Sequence, residues 1–192
     1  MTKIILASSS PQRRKLMKIL GLAFIVKPSQ VKEKNSVTKN VTHLVKHNAL
    51  LKAKDVASRF QSGIVVGCDT VVISHRGRLI LKPKHLKEAK KNLKEVMEKP
   101  HWVYSGLALV DVKSGKVLLG YEKTRVFMKT LSSQAIDRYH RKVSPLDKAG
   151  GFDIEGKGAL FIYRIEGCYF NVVGLPLAKL AQMLEKFGVE VL

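Results

Sequence analysis

An aspartate stands inside an apolar run, Val66-Gly67-Cys68-Asp69-Thr70-Val71-Val72. Burying a carboxylate there is costly unless a cation or hydrogen-bond donors meet it, which points to a metal ligand or a base. The alternative is a turn aspartate bonded to its own backbone beside Gly67. A second group gathers where Ser8, Ser9, Ser10 and Pro11 precede Gln12, Arg13 and Arg14. Ser10 can cap a helix with Pro11 at its first position, but two arginines in the first turn oppose the helix dipole. A bound phosphate reverses that penalty, because the helix amides, the Ser8 and Ser10 hydroxyls and Arg13 can converge on one anion. An ordinary cap with solvated arginines is the competing reading.

Other candidates are thinner. Glu33 is an isolated acid in a polar stretch, and Lys52 falls in a helical pattern. Lys82-Pro83 follows a strand that proline would halt, so Lys82 leaves the strand end either toward phosphate or simply into water. Asp147-Lys148-Ala149-Gly150-Gly151 and Ile154-Glu155-Gly156 put charges in a glycine-rich loop, which lets backbone approach a ligand or is only a loop. Cys68 and Cys168 lack any CxxC or Cys/His spacing that would hold zinc and read as buried free thiols.

The elements that must position these residues follow from periodicity. Residues 4–7 read as a short buried strand, 11–20 as a helix and 22–26 as a second strand. The polar segment 27–40 is long enough to be functional. Leu44, Val45, Ala49 and Val56 recur at helical spacing and predict a helix from 41 to about 60, with Lys52 and Lys54 on it. The β-branched runs 64–66 and 71–73 flank 67–70, so Asp69 is expected to interrupt a strand, and 75–78 reads as a hairpin turn. A helix from 86 runs up to Pro100, and 102–112 pairs with 116–131 in a long hairpin. Ser132 caps a helix over 134–141, 159–165 returns to strand, 171–177 reads as a structural turn or as a strand end entering a helix with Pro176 at its first position, and 175–187 is a closing helix. This alternation predicts a mixed α/β sheet rather than a sandwich or a bundle.

Length and composition bound the partners. With 192 residues and 45% hydrophobic content, the chain fits one generous domain or two small lobes sharing a core. Its apolar runs stop far short of the roughly 20 residues that cross a bilayer, and the early serines leave no secretory signal. The expectation is a cytoplasmic protein with no membrane association. Thirty-five basic against fifteen acidic residues give a charge of +20, which favours a polyanionic partner. No zinc-finger spacing, RNP-type strand or helix-turn-helix accompanies that charge. A rival reading nevertheless remains, a basic nucleic-acid-binding or division-regulating protein without catalysis, whose binding to duplexes would be salt-sensitive.

Taken in order, LASSSPQRRKLM, GCDTVV, Lys82-Pro83, DKAGGFDIEGKGALF and NVVGLPL resemble the motifs of the Maf family of nucleotide pyrophosphatases, essentially from residue 4 to 177. The resemblance implies a single Maf-like domain over 1–192, with an elongated mixed β-sheet flanked by helices and two lobes enclosing a nucleotide-binding cleft, often as a homodimer. It implies hydrolysis of a nucleoside triphosphate to monophosphate and pyrophosphate, with nucleic acid not required. By the same analogy Glu33 and Asp69 hold a divalent cation, Mg2+ or Mn2+, or Asp69 activates the water. Arg13, Lys52 and Lys82 then neutralise phosphate charge, and Ser8, Ser10, Gln12, Thr70, Lys148 and Glu155 complete substrate binding.

Two positions depart from the family pattern. Gln12 replaces the first arginine of SPRR and Glu155 replaces the glutamine of IQG, and both positions are linked to base selection. Asp69-Thr70 and the DKAG stretch side with the branch acting on dTTP and UTP. Glu155 accepts hydrogen bonds only, which suits the donors of guanine and the branch acting on 7-methyl-GTP. The resemblance thus implies dTTP/UTP first, with 7-methyl-GTP or another guanine-type nucleotide as the alternative.

Overall fold

The computed structural model describes residues 2–37 and 40–191. Among them, seven strands form one mixed sheet in the order β2-β1-β3-β5-β6-β7, with β4 beside β3. These are β1 (Ile4–Leu6), β2 (Phe24–Val26), β3 (Ile64–Ile73), β4 (Leu79–Ile80), β5 (His101–Asp111), β6 (Val117–Met128) and β7 (Ile162–Glu166). The helices are α1 (Pro11–Ile19), α2 (Val41–Ala57), α3 (Leu86–Glu98), α4 (Ser133–Lys142), α5 (Tyr169–Val173) and α6 (Leu177–Glu185). β1 runs parallel to β2 and β3, whereas β4 pairs antiparallel with β3, and β7 with β6. No helix among the described residues is long and apolar enough to cross a membrane.

The chain divides into two compact units. The first comprises Met1–Thr70, Ser105–Glu122 and Gly174–Leu192, the second Val71–Tyr104 and Lys123–Val173. In the first unit α2 lies on the sheet through Ala49, Ala53 and Val56, which pack with Ile5, Ala7, Val65, Ala108 and Val110. Two glycines set that closeness. A Cβ on Gly67 would stand 2.1 Å from the Ala49 carbonyl oxygen, and one on Gly106 would stand 2.2 Å from that of Val45. Only a side chain of hydrogen allows the helix backbone to rest on β3 and β5 in this way. In the second unit α3 and α4 supply Leu93, Val96, Met97, Ile136 and Tyr139 to a core with Val72, Val103, Val126 and Phe152.

Several elements differ from the sequence reading, each for a local reason. β3 is one continuous strand of ten residues and Asp69 does not interrupt it, because side chains from α2 satisfy its carboxylate without bending the backbone. β7 begins at Ile162 because residues 157–160 close a 3-10 turn first. Residues 169–173 form a short helix, and the buried Asn171 amide donates to the Val103 carbonyl at 3.1 Å and the Thr124 hydroxyl at 3.0 Å. Pro176 is the extended N-cap of α6 rather than its first helical residue. Cys168 is half-buried rather than buried.

Candidate active site

The first unit brings Glu33, Lys52 and Asp69 together. Asn40 caps α2 by accepting from the His43 amide at 2.7 Å, and the helix then presents Asn48 and Lys52, one turn apart, to β3. Lys52 Nζ lies 2.8 Å from Asp69 Oδ1, 2.9 Å from Glu33 Oε1 and 3.3 Å from the Cys68 carbonyl. Two of its three donors make hydrogen bonds, to Asp69 and to the Cys68 carbonyl, and Glu33 adds an ion pair. Asp69 and Lys52 are only 3% and 7% exposed, so each is the other's main compensation for lost hydration. Glu33, with 44% of its side chain exposed, is the solvent-facing member.

Asn48, absent from the sequence-based candidates, ties this group to the loop that carries Glu33. Its Nδ2 donates 3.0 Å to Asp69 Oδ2 and 3.0 Å to the Lys34 carbonyl, while its Oδ1 accepts from the Lys34 amide at 2.9 Å. Both Asp69 oxygens are therefore held. Burial acts most strongly on the Asp69 carboxyl and pushes its pKa up. The charge and hydrogen bond of Lys52, the Asn48 amide and the charge of Arg13 together outweigh it and hold the carboxyl below the usual aspartate range.

Arg13 forms a second hub. Ser10 caps α1 through the Arg13 amide at 3.4 Å, with Pro11 at the helix start, as the sequence indicates. The Arg13 guanidinium turns inward and donates to the carbonyls of Cys68 at 2.7 Å and Gly174 at 2.9 Å, to the Thr70 hydroxyl at 3.0 Å and to Ser8 Oγ at 3.4 Å. Thr70 Oγ1 also meets Ser105 Oγ at 2.8 Å and the Gly174 carbonyl at 3.2 Å, which uses its one donor and both lone pairs. The Cys68 thiol donates to the same carbonyl at 3.3 Å, and burial pushes its pKa up, so it is held protonated rather than as a nucleophile. Gly174, at φ +124, is the turn that presents this carbonyl.

Ser10 Oγ donates to Gln12 Oε1 at 3.1 Å, and Ser8 accepts from the Ser10 amide at 3.2 Å. Beside them a cavity of about 390 Å³ is lined by Ser8, Ser9, Ser10, Arg14, Lys15 and Lys18, among others. Arg14 lines this cavity while Arg13 is held among protein acceptors, a division of labour the sequence did not reveal.

The remaining candidates lie in the second unit. Lys82 is exposed, just beyond β4. Lys148 Nζ pairs with Asp147 at 2.7 Å and meets the Ser144 carbonyl at 3.2 Å. Glu155 is exposed in a loop braced by Asp153, whose Oδ1 accepts from the Tyr139 hydroxyl at 2.7 Å and the Gly158 amide at 3.0 Å.

The donor set suits a hard divalent cation. Oxygens of Glu33 and Asp69 already converge on one positive charge, and no cluster of three or more His, Cys, Asp or Glu side chains fit to hold a metal occurs among the described residues. Magnesium is commonly held by one or two carboxylates, with substrate phosphates and water completing its shell.

The fold and site define an α/β protein with a buried carboxylate–ammonium pair at the mid-point of a central strand. Residues 3–187 match the family described as Maf-like protein, and the chain belongs to it. A dTTP/UTP pyrophosphatase of Pelotomaculum thermopropionicum is 44% identical over 192 residues, spanning 100% of both chains. Another from Methanococcoides burtonii is 43% identical over 192 residues, spanning 100% of this chain and 98% of its own. Among solved structures, the Ham1 protein of Staphylococcus aureus shares the fold at 15% identity and a TM-score of 0.55, over 97% of this chain and 100% of that one.

Proposed function

We propose that this chain is a nucleoside triphosphate pyrophosphatase that converts dTTP and UTP to the monophosphate and pyrophosphate at the Glu33–Lys52–Asp69 site. The observation that carries this reading is the convergence of two carboxylates, one on a loop and one on β3, upon Lys52. Full-length relatives at 44% and 43% identity that bear the name dTTP/UTP pyrophosphatase support the choice of reaction and base.

Glu33 and Asp69 would hold a divalent cation, Mg2+ or Mn2+. Bound there, the cation supplies Lewis-acid neutralisation of phosphate oxygens. Lys52 fixes the Asp69 carboxylate and adds positive charge where the triphosphate must sit. Both Asp69 oxygens accept hydrogen bonds and its carboxyl titrates low, which suits a ligand better than a base, since basicity falls with pKa. A water oxygen forms the new bond to the α phosphorus, the bond from that phosphorus to the α,β-bridging oxygen breaks, and pyrophosphate departs as the water gives up a proton. Such in-line displacement needs oriented charge more than a covalent nucleophile.

Arg14 and the Ser8–Ser10 turn line the cavity at the start of α1 and are assigned to substrate phosphate. Arg13 acts from behind, holding Cys68, Thr70 and Gly174 in register. Gln12, Lys82, Lys148 and Glu155 remain assigned to substrate by family resemblance. Incubation with Mg2+ and dTTP, UTP or 7-methyl-GTP, followed by product separation, tests the reading. Monophosphate plus pyrophosphate from the pyrimidine nucleotides supports it, and diphosphate plus phosphate contradicts it.

A further inference from the structure

In the second unit the sheet has two unlike faces. Val103, Val126 and Met128 belong to the core that α3 and α4 cover. Strand alternation puts Trp102, Tyr104, Lys123, Arg125 and Phe127 on the opposite face, and the β6–β7 register puts Arg164 directly across from Phe127. There, cations and rings alternate. Lys123 Nζ stands 5.2 Å from the centre of the Trp102 ring, and Arg125 Cζ stands 5.8 Å from that ring and 5.2 Å from Phe127. Arg164 Cζ lies 5.1 Å from the same Phe127 ring. Tyr104 and Tyr163 extend the row, each with its ring centre 6.3 Å from that of Trp102 or Phe127 respectively.

The row is partly open to solvent, with Trp102, Tyr104 and Phe127 half-buried. The side chains of Arg125 and Arg164 are 41% and 61% exposed, and Tyr163 is 60% exposed. Glu166 contacts both arginines, Arg164 at 2.6 Å and Arg125 only at 4.0 Å. Arg125 Nε is buried with no hydrogen-bond partner among the described residues. Two ring faces and one long contact to Glu166 hold the arginine, and 41% of its side chain stays exposed.

We propose that this sheet face binds single-stranded nucleic acid. Rings separated by cations match a strand whose bases stack on aromatic side chains while its phosphates meet lysine and arginine. A duplex keeps its bases stacked internally and cannot use the rings. A second copy of this chain is disfavoured, since Lys123, Arg125 and Arg164 would face the same three charges. The net charge of +20 adds a long-range attraction for any polyanion. The sequence showed no RNP-type strand because the rings come from three strands, Trp102 and Tyr104 on β5, Phe127 on β6 and Tyr163 on β7.

Trp102 is the only tryptophan in the chain, so its fluorescence reports on this face directly. Titration at low salt with single-stranded hexauridylate, and separately with hexathymidylate, quenches that emission if either strand stacks there. With Arg125 and Arg164 neutralising phosphate, a plot of log affinity against log salt concentration should have a slope of about −1.4. Phe127→Ala and the more exposed Arg164→Glu should each weaken binding about tenfold, whereas Asp69→Asn should bind as the wild type does. Absence of quenching by both oligomers at low salt overturns the proposal, as does quenching that survives Arg164→Glu unchanged. Emission that responds to protein concentration but not to oligomer also overturns it and identifies a second copy as the occupant.

Discussion

The Asn48 amide nitrogen lies 3.0 Å from Asp69 Oδ2, and the same nitrogen lies 3.0 Å from the backbone carbonyl of Lys34, next to Glu33. One helical side chain therefore sets the distance between the two carboxylates assigned to the cation. Asn48→Leu keeps the volume but leaves Asp69 Oδ2 and both Lys34 backbone groups without this partner. Lys34 is exposed and water can reach its backbone, but the buried Asp69 oxygen left unpaired costs about 1–3 kcal/mol. Denaturant melts should show a loss on that scale, and turnover should fall at least about tenfold in the folded variant through misplacement of reacting groups. Wild-type turnover in Asn48→Leu would separate Asn48 from the site.

Gly67→Ala tests the seat of α2. Its Cβ would meet the Ala49 carbonyl oxygen at 2.1 Å, and Ala53 Cβ and the Ala53 amide nitrogen at 3.0 Å, so the helix must shift. A loss of at least about 1–3 kcal/mol is expected in a denaturant melt, together with reduced turnover, because Asn48 and Lys52 move with the helix. Unchanged stability would show that α2 has slack against the sheet.

Much of this was legible in the sequence. Strong periodicities placed α1, α2, α3 and the β5–β6 hairpin close to their observed ends, and the Ser10-Pro11 start of α1 could be read directly. Asp69 was misread as a strand interruption because its partners come from α2, distant in sequence. Asn48 carried a usable signal, since it precedes Lys52 by four residues and so shares its helix face. The inward turn of Arg13 carried none, because the Cys68 and Gly174 carbonyls that receive it are backbone groups with no signature in residue type. The short helix 169–173 overlaps a stretch, 171–177, that reads from sequence as a turn or a strand end, because five residues are too few to show a helical period.

The two adjacent arginines should separate by phenotype. Arg13→Lys loses the fork that reaches Gly174, Cys68 and Thr70 at once, and lysine cannot span them. Its melting midpoint should fall, by about 1–3 kcal/mol in stability, as hydrogen bonds from a charged donor are lost. Arg14→Gln should stay within about 0.5 kcal/mol of wild type but raise KM for the triphosphate. The reverse pattern would exchange their roles.

His101 gives the fold a pH dependence. It is completely buried, and desolvation pushes its pKa down to about 4 from 6.5, although its hydrogen bond to the Val96 carbonyl at 3.0 Å opposes the shift. The unfolded chain therefore binds a proton more readily than the folded one between those values. Stability from this residue is complete above pH 6.5 and is lost as pH falls toward 4, by roughly 3 kcal/mol. Comparing wild type with His101→Gln in urea at pH 7 and pH 5 isolates the effect, and the variant should show the flatter dependence. Equal slopes would assign acid sensitivity elsewhere.

The most direct test of the central claim is turnover of dTTP with Mg2+ by wild type and by Asp69→Asn, with products separated and folding checked by circular dichroism. The variant keeps the size of the side chain and removes the charge that Lys52 and the cation require. Wild type should yield dTMP and pyrophosphate, and the folded variant should be slower by about 10²- to 10³-fold, the scale of losing a group that organises transition-state charge. Comparable turnover by both proteins would contradict the assignment of the Glu33–Lys52–Asp69 site.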